Sequence, residues 1–266
     1  MIDVFALACA AMVAVMAVSW GVQRTVKDSG WTDVFWTFGT GAVCALAAGD
    51  IVGRGHPAPW RQILVAAMAA FWSLRLGAHL ALRVARGPED ARYVQLRGEW
   101  GPAFQGRMLA LSLVQAPISA LLATAVFLAA HAPGQHLLLG DIVGVAILMV
   151  GVAGEAVADA QLRRFKSRSG NSGDVCDVGL WAWSRHPNYF FEWTVWLAFP
   201  LVAFRSSEPV SWISLAAPAV MFLLLRFGSG VPPLEAAMVR SRGEAYRRYQ
   251  ARVSPLLPLP PRKRRS

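Results

Sequence analysis

Apolar residues along this chain come in long blocks, not at the one-face or alternating spacing of a water-soluble domain. The blocks cover residues 4–22, 32–52, 60–82, 108–131, 137–160, 188–205 and 209–228, and Gly, Pro and charged clusters separate them. A helix rises about 1.5 Å per residue, so a block of roughly 20 residues matches a hydrocarbon layer about 30 Å thick. Backbone groups in hydrocarbon must bond within their own segment, which such blocks do as helices and not as alternating barrel strands. The pattern predicts an all-α polytopic integral membrane protein with seven transmembrane helices. Arg75 and His79 interrupt the third block, and only the turn from Arg205 to Glu208 joins the last two. Residues 232–250 then carry Glu235, Met238, Val239, Arg242, Tyr246 and Tyr249 at three- and four-residue steps, which predicts a C-terminal cytoplasmic amphipathic helix. The proline-rich 255–261 cannot continue it.

Composition agrees: 55% of the 266 residues are hydrophobic and 16% charged, more apolar surface than one soluble core absorbs, so the lipid bilayer is the expected solvent. The formal charge of +10 lies in loops and the tail, not along one basic face, which argues against nucleic acid as a partner. Arg83, Arg86, Arg92 and Arg97 follow the third block, and Arg163, Arg164, Lys166, Arg168 and Arg185 follow the fifth. The connection between the fourth and fifth has no Lys or Arg, while Arg262, Lys263, Arg264 and Arg265 close the chain. The positive-inside rule then predicts an outward N-terminus and a cytoplasmic C-terminus. The first block, preceded by Asp3 and by no Lys or Arg, reads as a retained span, not a signal peptide. No repeat or linker divides residues 1–266, so a single transmembrane domain is expected. Cys9, Cys44 and Cys176 lack paired or metal-like spacing, so neither a disulfide nor a metal is expected.

Three segments carry candidate chemistry. Glu155, Asp159, Arg163 and Lys166 recur at steps of four, four and three on one helical face where the fifth span reaches the cytoplasmic surface. Carboxylates at membrane depth are functional candidates, although pairing with Arg163 or snorkelling to the boundary would also account for them. In the run from Gly179 to Glu192, Ser184 or His186 could cap a helix with Pro187 in its first turn, placing Arg185, Asn188 and Glu192 on one face. A helix N-terminus bearing Arg185 and His186 suits an anionic phosphate; the alternative makes them interfacial anchors beneath a tryptophan belt. The third is the stripe Glu235, Arg242, Tyr246 and Tyr249 of the terminal helix.

These residues resemble a family. The run Gly179-Leu180-Trp181-x-x-Ser184-Arg185-His186-Pro187-Asn188-Tyr189-x-x-Glu192 is similar to the bacterial membrane proteins of the domain-of-unknown-function 1295 family. So are Glu89-Asp90-x-Arg92-Tyr93 and Glu235 with Gly243-Glu244-x-Tyr246-x-x-Tyr249. That family is related to steroid 5α-reductases, and the core run also resembles sterol C14 and C7 reductases. The resemblance implies NADPH-dependent reduction of a carbon–carbon double bond in an apolar lipid or steroid-like substrate at a bacterial inner membrane. Residues 137–258 would hold the cofactor and residues 1–131 the lipid. The implied cofactor set is Glu155, Asp159, Arg163, Lys166, Arg185, His186, Asn188, Tyr189, Glu192, Glu235, Arg242, Tyr246 and Tyr249. Lys166 stands where steroid reductases have Arg, and Glu235 where they have His. The Gln-Glu pair of their second span is missing; Trp31-Thr32-Asp33-x-x-Trp36 occupies that region.

Hydride delivery to an enone builds negative charge on the carbonyl oxygen, which calls for a proton donor in a dry cavity. Tyr93, His79 and Asp33 are the catalytic candidates. Each has a plainer role available: interfacial anchoring for Tyr93, an interhelical hydrogen bond for His79, pairing with Arg75 for Asp33. The core run also resembles isoprenylcysteine carboxyl methyltransferases, for which the cofactor would be S-adenosylmethionine. That molecule has no phosphates and needs fewer cations than NADPH.

Overall fold

A computed structural model of the chain describes residues 1–49, 58–169, 174–205 and 208–262. The end of the second expected span, residues 50–52, and the tail cations Lys263, Arg264 and Arg265 lie outside them. The described residues are helical: α1 (Ile2–Val26), α2 (Trp31–Ala48), α3 (Pro59–Arg86), α4 (Ala91–Trp100), α5 (Phe104–Leu113), α6 (Gln115–Ala130), α7 (Leu139–Ser169), α8 (Pro187–Ala203), α9 (Ala216–Phe227) and α10 (Val231–Arg252). Three short 3-10 turns, Gly101–Ala103, Gly179–Ala182 and Pro209–Leu215, join some of them.

Five segments among the described residues are long and apolar enough to cross a membrane: Ile2–Val26, Pro59–Arg86, Ala91–Ala130, Leu139–Arg168 and Pro209–Arg252. The chain is therefore an integral membrane protein. The second and sixth expected spans form α2, of 18 residues, and α8, of 17. Arg75 and His79 do not break α3, which runs unbroken for 28 residues. The fourth expected span differs. It is divided into α5 and α6 at Val114, because Pro117 in the next turn has no N–H for the Leu113 carbonyl and crowds it. It is also preceded by α4, a short polar helix that the block pattern does not show.

The chain forms two compact units, residues 1–145 with 198–217, and residues 146–197 with 218–266, so the long helices α7 and α8 each contribute to both. In the first unit, α2 and α3 approach closely at Gly41, which meets Ser73, and at Gly77, where an added Cβ would stand 2.6 Å from the Phe38 ring. Lipid tails are as apolar as leucine, so close approach and hydrogen bonds across helices hold such pairs together. Here the Ser73 hydroxyl donates to the Thr37 carbonyl at 3.0 Å, and Thr40 and Ser119 hydroxyls meet at 2.9 Å. Where α3 begins, Arg61 and Asp141 form an ion pair with both side chains at 0% exposure, at 3.2 and 3.3 Å. Arg61 also donates to the carbonyls of Ala132, Gly134 and His136, which fastens the α6–α7 connection to α3.

In the second unit, Gly151 of α7 faces Val195 of α8 and Gly154 faces the Phe191 ring. Trp193 Nε1 donates to the Pro218 carbonyl at 3.0 Å. Beside that bond runs an open apolar groove of about 420 Å³ lined by Trp193, Leu197, Pro218, Ala219, Phe222 and Leu257. The chain after α10 does not stay helical, as its prolines require. It runs back along residues 183–185, with Arg185 N–H donating to the Ser254 carbonyl at 2.8 Å and Leu259 N–H to the Trp183 carbonyl at 3.1 Å.

Candidate functional site

The first unit gathers polar side chains where α2 and α4 begin. Asp90 caps α4, its carboxylate accepting the Arg92 backbone N–H at 3.0 Å. From that first turn Arg92 Nη2 donates to Asp33 Oδ2 at 2.9 Å and the Tyr93 hydroxyl donates to Asp33 Oδ1 at 2.7 Å. Asp33 sits in the first turn of α2, where unpaired backbone N–H groups favour a carboxylate. Arg92 also grips Asp90 through Nε at 3.0 Å and Nη2 at 3.1 Å, so one guanidinium bridges two carboxylates from separate helices. Burial works to raise the Asp90 carboxyl, but the charge and hydrogen bonds of Arg92, with Arg83 behind it, hold it below its ordinary value. Tyr93 is buried against Phe104 and Met108, which fixes its ring. Two of the three catalytic candidates, Tyr93 and Asp33, thus meet directly; His79 is half-buried on α3.

In the second unit the three expected segments come together. Trp181 Nε1 donates to the Ala158 carbonyl of α7 at 3.0 Å, and Leu180 N–H to Gln161 Oε1 at 2.9 Å. The Tyr249 hydroxyl of α10 donates to the Trp181 and Ser184 carbonyls. Ser184 Oγ accepts the His186 N–H at 3.1 Å in a turn that ends just before Pro187 opens α8. Arg185 Nε and Nη2 clasp the Glu235 carboxylate at 2.6 and 3.1 Å, while Nη1 donates to the carbonyls of Gln250 and Val253. Glu235 also accepts from Gln250 Nε2 at 2.9 Å and meets His186 Nε2 at 3.3 Å. Burial pushes the His186 imidazole below its ordinary value, with Arg185 and Arg226 adding to it and Glu235 opposing. Tyr189 stacks on the His186 ring at 5.6 Å.

The other expected cofactor residues are spread around this knot. Glu155 and Asp159 are buried on α7, whereas Arg163 and Lys166 on its last turns are exposed. Asn188 is half-buried, and Glu192 is buried with Oε1 accepting the Trp196 indole N–H at 3.0 Å. Tyr246 is buried beside Tyr249, ring centroids 5.8 Å apart. Arg242 turns away from the knot, its Nε donating to the Asp174 carbonyl at 2.7 Å. The stripe from Glu235 to Tyr249 is not one continuous helical face. Gly243, at φ 52 and ψ −126, breaks α10 into two pieces, a backbone state that side-chain-bearing residues avoid.

Sequence reasoning named Arg92 as a loop cation and as part of the Glu89–Tyr93 motif without giving it a role, and gave none to Gln161 or Gln250. For Arg92 a signal existed, since it adjoins Tyr93 within the same short motif and follows a capping Asp90. For the glutamines there was none: their partners lie 19 and 15 residues away in sequence.

The profile of a family described as "Protein of unknown function (DUF1295)" matches residues 19–253. Neither a curated protein nor a solved structure matches the chain.

Proposed function

The chain belongs to the DUF1295 family, whose description assigns no activity, and from its two polar sites we propose that it is a membrane-embedded NADPH-dependent reductase of a carbon–carbon double bond in a lipid or steroid-like enone. The observation that supports this most is the Tyr93 hydroxyl held at 2.7 Å from Asp33, which Arg92 orients from its other oxygen at 2.9 Å. NADPH, when bound, supplies the hydride that forms the new C–H bond at the β-carbon. The π electrons of the double bond then move toward the carbonyl oxygen, and Tyr93 has the one mobile proton in its cluster. Its O–H can turn from Asp33 to that oxygen, which gives the enol; the enol passes its O–H proton to water as the α-carbon takes one up, leaving the saturated ketone, and the phenolate regains its own proton from water. Arg92 and Asp33 keep the phenol in place meanwhile, and positioned acids of this kind contribute about 10²–10⁴-fold.

For the cofactor's phosphates the second unit offers exposed Arg163 and Lys166, with Asn188 and the N-terminus of α8. Arg185 is no longer available for them, because Glu235 and two carbonyls hold it. In this reading the arginines and lysines of residues 83–97 and 163–185 mark the cytoplasmic side of a bacterial inner membrane. One observation favours a second reading. With Arg185 engaged, fewer cations remain for phosphates, and a methyltransferase using S-adenosylmethionine would need fewer.

Calorimetric titration of the detergent-solubilised chain with each cofactor separates the two. The reductase reading expects NADPH to bind and to be consumed when a long-chain enone is added; binding of S-adenosylmethionine alone would replace it with the second.

A further inference from the structure

Two donors beside the Tyr93–Asp33 pair have no hydrogen-bond partner among the described residues. Thr32 Oγ1 belongs to a residue at 0% exposure, and the Trp36 indole Nε1 is itself shielded. A buried polar group left without a partner is destabilising, and few such groups occur in a folded protein. These two are not scattered. They stand four residues apart on α2, hence on one face of the helix, with Asp33 beside them in the same turn. The hydroxyls on either side of them in sequence are engaged: Thr37 donates to the Asp33 carbonyl at 2.8 Å, and Ser29 donates to Gln23 at 3.1 Å. Trp36 is also held in position, with its ring edge-on to Trp72 of α3 at 6.3 Å and 87°.

We propose that Thr32 Oγ1 and Trp36 Nε1 form the recognition site for a neutral hydrogen-bond-accepting oxygen, a carbonyl, on a membrane-dissolved ligand. The indole N–H donates only, so it selects an acceptor. Arg92 is already shared between the Asp33 and Asp90 carboxylates, at 2.9 and 3.0 Å, so the cluster has no spare positive charge for an anion. A neutral acceptor on an apolar body is what remains. In the reductase reading, on which the identity of this oxygen as an enone carbonyl rests, it is the oxygen that Tyr93 protonates. A site built to donate hydrogen bonds discriminates strongly against an analogue lacking the acceptor, because its buried donors are then left unpaired.

The test uses the full chain in detergent without cofactor, titrated with a long-chain α,β-unsaturated ketone and with the alkane of equal length. The ketone is expected to bind more tightly than the alkane. Thr32→Val and Trp36→Phe are each expected to remove about tenfold of that difference, the worth of one buried hydrogen bond. Taking the ratio of the two probes cancels any packing loss caused by the smaller Phe. Thr32→Val, which keeps shape and removes only the hydroxyl, is expected to leave the melting temperature of the unliganded chain unchanged or raised. Equal binding of ketone and alkane, an undiminished preference in both variants, or a lower melting temperature for Thr32→Val would each overturn the proposal. Ketone preference that depends on Trp36 in a protein that ignores NADPH would sink the reductase reading and leave this site standing. NADPH consumption with a ketone preference indifferent to both residues would do the reverse.

Discussion

The two units each centre on a carboxylate held by an arginine, and the difference lies in what is left over. Around Glu235 in the second unit the network is closed: Arg185 makes four hydrogen bonds, and Gln250 and His186 take further positions on the carboxylate. Around Asp33 in the first unit the network is open. Arg92 and Tyr93 engage the carboxylate, yet Thr32 Oγ1 and the Trp36 indole beside it have no partner among the described residues. A closed knot ties a helix start to a helix end; an open one keeps hydrogen-bonding capacity for a molecule that comes and goes. Ionisable groups in a membrane protein are functional candidates by default, and the closure of their networks tells which of them serve architecture.

The largest expected effect breaks the closed knot. Glu235→Ala leaves Arg185, at 9% side-chain exposure, without its carboxylate, and removing one partner of a buried pair costs about 3–5 kcal/mol. The loss should appear as a large fall in melting temperature in detergent. Next in size, Tyr93→Phe keeps the ring that packs on Phe104 and Met108 and removes only the hydroxyl. About 1 kcal/mol of stability is expected to go, while enone-dependent NADPH consumption is expected to fall about 10²–10⁴-fold. The comparison breaks if Glu235→Ala is well folded, or if Tyr93→Phe loses stability and activity in equal proportion. A third effect is smaller. An alanine at Gly243 would meet nothing within 4 Å, so its cost comes from the backbone alone, at φ 52 and ψ −126. About 1–3 kcal/mol is expected for a residue forced into such a region, measured as a lower melting temperature.

What the sequence made legible was whatever is encoded locally. The apolar blocks became helices, and Pro187 marked the start of α8, because an N-terminal proline acts within the first turn. The short α4 was hidden, since ten residues with two arginines and a glutamate carry no apolar block. Gly243 was read through as an ordinary helical position; only its positive φ reveals the break. Partner choice was the least accessible. Arg92 finds Asp33 across 59 residues and Arg61 finds Asp141 across 80, and several other carboxylates in the chain were chemically equal candidates. Arg61 and Asp141, the most deeply buried pair, were not singled out from sequence at all. The chemistry-bearing residue types could be named, but whether each ends in a closed or an open network depends on tertiary placement.

The smallest expected effect is set by pH, and its sign separates the two units. Burial, joined by Arg185 and Arg226 and opposed by Glu235, lowers the His186 imidazole below its ordinary 6.5, so the folded chain keeps it neutral where the unfolded chain takes up a proton. Above pH 6.5 both states are neutral and the contribution to stability is complete. As pH falls below that value the unfolded state binds more protons, so stability drops until the folded imidazole is also protonated. Asp90 in the first unit behaves differently. Its carboxyl is held below the ordinary 3.8, so its contribution is present above that value and is lost only as pH falls further. Between about pH 6 and pH 5, then, the protection of amides around residues 184–190, taken relative to the intrinsic exchange rate at each pH, should fall while that around residues 89–93 holds steady. His186→Gln should abolish the fall. Equal loss of protection in both segments, or none in either, would mean that the closed knot does not exclude a proton from its histidine.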